Sequence, residues 1–298
     1  VRLFIADDVG LGKTIEAALI VREMILRQRV RRVVVAAPPS VLTQWRDELD
    51  TRFGLTFVVV DRAYFRARRR ERGWSYNPWR THSRFIISHA LLRDPHYTTA
   101  LRDLLRAEPT GSMLVLDEAH HAAPASGART AVDSAFTRVV RELAPLFEHR
   151  VFLSATPHNG HSASFSALME ILDPSRFVRG IKVTAPQRKQ VMVRRLKREL
   201  RAVGVEFAER SVGRIALEGL AADDPDLVLL QHLDDYCVLR EAAAASASKE
   251  EQQNNFLSLN VLRKRLLSPV PAFANTLRAH REGLVTRRNK RRDRAVVQ

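Results

Sequence analysis

Cysteine is almost absent from this chain of 298 residues, where Cys237 stands alone. A single thiol excludes an internal disulfide and a cysteine-rich metal site, and it fits a reducing, cytoplasmic compartment. Long apolar runs are missing too, so no membrane partner is expected. The opening VRLFIADD lacks both an initiating Met and the basic, apolar, small-residue order of a signal peptide, so the chain is expected to start inside a longer protein. There is no internal repeat. Acid is in short supply: Lys and Arg number 49 against 33 Asp and Glu, a formal charge of +16. A surplus of that size points to a polyanionic partner, with nucleic acid the default. Because an arginine bias also follows genome composition, the charge supports a partner class and nothing finer.

What is present is a globular composition, 45% hydrophobic and 28% charged. The first part alternates short apolar runs with amphipathic stretches, the pattern of a parallel sheet covered by helices. Strands are expected over 3–6, 32–37, 56–60, 84–88, 113–116 and 150–153, with helices over 13–29, 40–53, 95–107, 129–147 and 161–172. This order predicts an α/β, doubly wound lobe over 1–175. After Pro186 the character changes. A basic helix over 187–202, short strands within 205–217 and Ala- and Leu-rich helix over 226–280 are expected, and 242–255 reads as an exposed helix or connection. The second domain is therefore placed at 176–298: a basic linker and a helical segment, with a basic unstructured tail near 285–298.

The sharpest local signal is Ala6-Asp-Asp-Val-Gly-Leu-Gly-Lys-Thr14, between an expected strand and an expected helix. That is the context of a phosphate loop. Gly10 and Gly12 would let the backbone amides of the loop, Leu11 included, turn toward phosphate oxygens at a helix N-terminus. Lys13 would reach the β- and γ-phosphates of ATP, and the Thr14 hydroxyl would hold Mg²⁺. The strict pattern wants Gly at position 7, where this chain has Asp7, so the match alone is incomplete. A second motif, Met113-Leu-Val-Leu-Asp-Glu-Ala-His120, is an apolar strand ending in two carboxylates. There Asp117 would hold Mg²⁺, and Glu118 would orient and deprotonate the attacking water. In a third, Val151-Phe-Leu-Ser-Ala-Thr-Pro-His158, Ser154 and Thr156 would switch hydrogen bonds as a γ-phosphate comes and goes.

These three motifs in this order resemble the first RecA-like lobe of superfamily-two helicases and translocases, in wording closest to the Swi/Snf family. Gly10-Leu-Gly-Lys-Thr-Ile-Glu16 is similar to the family's phosphate loop, although Asp8 stands where the family more often has Glu. Pro38-Pro-Ser-Val-Leu-Thr-Gln-Trp-Arg-Asp-Glu-Leu49 resembles a motif that grips a nucleic-acid strand, which implies contacts from Ser40 and Gln44. Phe85-Ile-Ile-Ser-His-Ala-Leu91 is similar to a further strand-contacting element. Val193-Arg-Arg-Leu-Lys197 looks like the basic segment after the lobe, which implies nucleic-acid contacts from Arg194, Arg195 and Lys197. Leu262-Arg-Lys-Arg-Leu-Leu-Ser268 is similar to a helical element of bacterial members, and Ser154-Ala-Thr-Pro-His-Asn-Gly160 also suggests that branch. Its members include RNA-polymerase-associated recyclers and helicases of phage-defence complexes. The resemblance implies an ATP- and Mg²⁺-dependent translocase on double-stranded DNA. It also implies a second RecA-like lobe whose Gln-Gly-Arg-rich motif is not found here, so this chain is expected to be nearly inactive alone. A nucleic-acid-binding module with a degenerate ATPase fold and an RNA helicase remain the alternatives.

Other constellations are weaker. Arg66-Ala-Arg-Arg-Arg-Glu-Arg-Gly-Trp74, with Tyr76 and Trp79, reads equally as a strand-binding surface or a solvated loop. His120, His121, His158 and His161 have ligand-like spacing, but each lies in or beside a motif already explained, which disfavours a metal centre. Cys237, in a Leu-rich stretch, reads as core.

Overall fold

Runs such as Val33-Val34-Val35 and Met113-Leu-Val-Leu116 are apolar on both faces, so each must be covered on both sides. The computed structural model describes residues 1–124, 133–157, 162–208, 212–213, 221 and 223–296. In chain order its elements are β1 (Arg2–Ile5), α1 (Lys13–Leu26), β2 (Arg32–Ala37), α2 (Leu42–Phe53), β3 (Val58–Val60), α3 (Arg62–Arg72), β4 (Arg84–Ser88), α4 (His89–Leu92), α5 (Pro95–Ala107) and β5 (Ser112–Leu116). There follow α6 (Ala135–Leu143), β6 (His149–Leu153), α7 (Ser162–Leu172), α8 (Ala185–Val191), β7 (Met192–Val193), α9 (Lys197–Ala202), α10 (Pro225–Ala244), α11 (Lys249–Leu266) and α12 (Val270–Val296).

The strands form one parallel sheet in the order β3-β4-β2-β5-β6-β1-β7. Alternate residues feed two cores. Ile5, Val33, Val35, Val115 and Val151 meet Ala17 and Val21 of α1 and Trp45 and Leu49 of α2. Phe4, Val34, Leu114 and Phe152 meet Phe65 of α3, Leu101 of α5, Val140 of α6 and Leu168 of α7. Helices on both faces make the doubly wound α/β lobe that the sequence pattern predicts. Buried Arg150 ties β6 to α7 by donating to the carbonyls of Ile171 (2.9 Å) and Leu172 (3.0 Å) at the end of that helix.

The chain divides into two compact units, Val1–Glu209 and Arg210–Gln298. The first runs beyond the boundary at 175 expected from sequence, because β7 pairs with β1 (Phe4 with Met192, Ile5 with Val193) and extends the sheet. Two residues give little periodicity from which to read a strand. The second unit packs Leu233 and Cys237 of α10, Leu259 and Leu262 of α11 and Phe273 of α12 into a small core of its own. Cys237 is buried there.

Several local expectations change. Residues 66–72 are not a loop: α3 starts where Asp61 accepts from the Tyr64 N–H (2.7 Å), and Phe65 anchors it. Arginine is a good helix former, which a reading based on charge alone ignores. For the same reason α12 continues through the basic 287–294 stretch, where an unstructured tail is expected. The helix expected over 129–147 gives way to a 3₁₀ turn at Ala144–Leu146, where Pro145 cannot continue it; 129–132 lie outside the described residues. Of the short strands expected within 205–217, the described residues 205–208 and 212–213 form none, and the others lie outside the described set. Among the described residues no helix is long and apolar enough to cross a membrane.

Candidate nucleotide site

Strands β5, β6 and β1 are adjacent and parallel, so the three motifs emerge side by side from their carboxyl ends. The register is explicit: Leu116 lies level with Phe152, and Ile5 with Leu153. The Ser154 N–H donates to the Ile5 carbonyl (3.1 Å), and the Asp117 N–H to the Ala36 carbonyl (2.9 Å). Two strand spacings, about 10 Å, therefore separate the strand ends that carry the phosphate loop and Asp117, with Ser154 between them. Crevices at the carboxyl ends of such sheets bind ligands.

In the loop, Gly10 and Gly12 have φ of +81° and +86°. A Cβ on either would have room, meeting nothing closer than 3.8 Å, so conformation rather than space demands glycine there. Gly12 caps α1, whose first turn carries Thr14 and Glu16. The Lys13 ammonium donates to the Asp7 (2.9 Å) and Asp8 (3.1 Å) carbonyls, so it already lies across the loop.

Asp117 is held from two sides. Trp45 Nε1 of α2 donates to its Oδ2 (2.9 Å), and the Glu118 N–H to its Oδ1 (2.8 Å). Glu118 adopts a left-handed backbone, φ +45°, a strained conformation for a residue with a side chain and one that clusters at functional sites. His120 Nδ1 lies 3.1 Å from Glu118 Oε2 and 2.9 Å from Ser154 Oγ. Since a carboxylate only accepts, the proton is assigned to Nδ1. Burial and the neighbouring His121 lower the His120 pKa, against the opposing charges of Glu118 and Asp117. The imidazole is neutral at pH 7 and bridges two motifs. Ser154 Oγ in turn accepts from the Thr156 N–H (3.1 Å), so Glu118, His120, Ser154 and Thr156 form one chain of contacts.

The hard oxygens of Thr14 and Asp117 are of the type Mg²⁺ takes. No group of three or more His, Cys, Asp or Glu side chains suited to a metal occurs among the described residues. His158 and His161 lie outside the described set.

The residues expected to touch nucleic acid are dispersed. Ser40, in the 3₁₀ turn before α2, and Gln44, in the first turn of α2, are exposed, Gln44 bonding Glu48 (2.9 Å). Arg194 lines an open cleft of about 320 Å³ with Lys182 and Arg188. Arg195 is engaged elsewhere, its guanidinium on Asp7 and Glu16. Lys197 bonds Asp8 through its backbone N–H (2.9 Å) and sets its ammonium over the Phe207 ring. Sequence reasoning missed Trp45, Lys182 and Arg188, and weighed His120 only as a metal ligand. His89, in the strand-contacting phrase Phe85-Ile-Ile-Ser-His-Ala-Leu91, is a packing residue beside Phe136 (ring centroids 4.4 Å).

The SNF2-related domain family matches residues 2–184 of this chain. The RNA polymerase-associated protein RapA of Serratia proteamaculans (strain 568) is 34% identical over 176 residues, covering 59% of this chain and 17% of RapA. RapA of Proteus mirabilis (strain HI4320) is 35% identical over 176 residues with the same coverage. The match thus spans less than a fifth of these relatives' length. Among solved structures, the Sulfolobus solfataricus SWI2/SNF2 ATPase core in complex with dsDNA superposes with a TM-score of 0.48 at 15% identity, covering 96% of this chain and 60% of that one. The Pyrococcus furiosus Hef helicase domain gives 0.46 at 16% identity, covering 91% and 52%.

Proposed function

The chain belongs to the SNF2-related family, and on that basis we propose that residues 1–209 are the ATP-binding lobe of a nucleic-acid-dependent ATPase that moves along double-stranded DNA. The observation that carries this reading is the convergence of three loops at the ends of β1, β5 and β6, with Asp117 held by both Trp45 and the Glu118 N–H.

In this reading the amides of Gly10, Leu11 and Gly12 bind phosphate oxygens at the N-terminus of α1, where the helix field favours negative charge. Lys13 exchanges its two loop carbonyls for the β- and γ-phosphates. Thr14 and Asp117 supply the oxygens for Mg²⁺, which when bound would offset phosphate charge. Glu118 accepts a proton from the attacking water. His120, touching both Glu118 and Ser154, passes any movement of the catalytic carboxylate to Ser154 and Thr156.

Ser40, Gln44 and Arg194 are proposed as nucleic-acid contacts, with Lys182 and Arg188 added from the cleft they share with Arg194. The helical unit 210–298 is proposed as the segment between two lobes. RNA polymerase is the proposed partner, on the name of the RapA relatives. Stabilising charge on the γ-phosphoryl group from the far side needs arginines of a second lobe, worth roughly 10³ to 10⁵ in turnover in related enzymes. We therefore expect negligible ATP hydrolysis by this chain alone, and stimulation by duplex DNA once a second lobe of the family is joined to it. Robust DNA-stimulated turnover by residues 1–298 alone would contradict the need for that lobe. Stimulation by RNA and not DNA would favour an RNA helicase.

A further inference from the structure

Asp7 stands where the strict phosphate-loop pattern has glycine, and its side chain is fully buried. A carboxylate in that position would oppose an incoming polyphosphate. Its charge is met by Arg195, far along the chain: the Arg195 backbone N–H donates to Oδ1 (2.7 Å), Nε donates to Oδ2 (2.7 Å), and Nη2 also contacts Oδ2. The same Nη2 meets the carboxylate of Glu16 in the first turn of α1. One guanidinium thus faces two carboxylates that flank the loop. Backbone bonds fasten the same segment, from the Ala6 N–H to the Val193 carbonyl (2.8 Å) and from the Asp8 N–H to the Arg195 carbonyl (3.0 Å).

We infer that Arg195 is a positioning residue of the nucleotide site, which neutralises Asp7 and Glu16 and pins the base of the phosphate loop so that its amides and Lys13 meet a polyphosphate without a competing negative charge. This rests on the phosphate-loop reading above. The role differs from the nucleic-acid contact that the sequence resemblance implies for Arg195. A buried carboxylate without its partner repels phosphate with little screening, since the effective dielectric there is well below that of water. The repulsion grows with the charge of the ligand. ATP carries one more phosphate than ADP and is the more sensitive probe.

The test is calorimetric titration of the 298-residue chain with Mg·ATP and Mg·ADP. The proteins are the parent, Arg195→Ala, Arg195→Lys and the double variant Arg195→Ala/Asp7→Asn, each checked for folding by circular dichroism. Arg195→Ala should weaken ATP about tenfold or more and ADP distinctly less. Asp7→Asn in that background should recover most of the loss, and Arg195→Lys should fall between. Should Arg195→Ala not fold, the double variant decides, because it leaves Asp7 uncharged: ATP affinity near that of the parent supports the inference. A double variant that is unfolded, or folded and unable to bind ATP, overturns it. Parental ATP affinity in folded Arg195→Ala, or equal losses for ATP and ADP, also overturns it. A parent chain that binds neither nucleotide would overturn the phosphate-loop reading itself, and this inference with it.

Discussion

Trp45 holds Asp117: the indole Nε1 of a buried α2 residue donates a 2.9 Å hydrogen bond to the carboxylate at the end of β5. The bond fixes the carboxylate rotamer and leaves its remaining lone pairs available. Trp45→Phe keeps most of the packing but removes the donor. It should cost about 1 to 2 kcal/mol of stability and raise the Mg²⁺ concentration needed for nucleotide binding several-fold. Trp45→Ala should cost about 3 to 5 kcal/mol by leaving a cavity. Denaturant unfolding and Mg²⁺ titrations separate the two effects. Unchanged Mg²⁺ dependence in Trp45→Phe would remove the indole from the account.

The second prediction concerns acid. Burial, with His121 adding and the Ala36 and Asp117 carbonyls opposing, lowers the pKa of His89 from 6.5 to about 4. The unfolded chain therefore takes up a proton that the fold refuses. The stabilising contribution is complete above pH 6.5, declines as pH falls from there toward 4, and is lost below. The full difference is about 3 kcal/mol. His120 and His149, also lowered by burial, act in the same direction. Trp45, Trp74 and Trp79 all lie in the first unit, so tryptophan fluorescence during urea unfolding at several pH values follows that unit alone. His89→Leu should flatten the profile between pH 4 and 6.5. An unaltered slope would mean that other groups set it.

How much of this was legible in the sequence depends on whether the determinant was local. Apolar runs such as 84–88 and glycines followed by Lys13 and Thr14 are local, and from them the sheet and the phosphate loop could be read. β7 could not, because two residues owe their strand state to pairing with β1. The Asp7–Arg195 pair joins residues at opposite ends of the lobe and leaves no periodic trace. Trp45 lies within the phrase 38–49, yet nothing in helix periodicity says that its indole N–H meets a carboxylate at the end of β5. The helical state of 66–72 is not legible from charge, because it rests on helix propensity and on the cap at Asp61.

A third prediction follows from the cleft lined by Lys182, Arg188 and Arg194. Duplex affinity should fall with salt, with a log–log slope of about −0.9 per phosphate neutralised. Replacing Lys182 and Arg194 together by Ala should make the slope shallower by about 2. Anisotropy titrations of a labelled random duplex across a salt series measure this. An unchanged slope would place the binding surface elsewhere.

The central claim is that residues 6–14 bind the phosphates of ATP, and Lys13→Ala tests it most directly. Lys13 is only partly buried and donates to two loop carbonyls, so its loss should change stability by no more than about 1 kcal/mol. Calorimetric titration with ATP in the presence of Mg²⁺ should then show binding by the parent and none by the folded variant. Equal affinity in the two proteins would contradict the assignment.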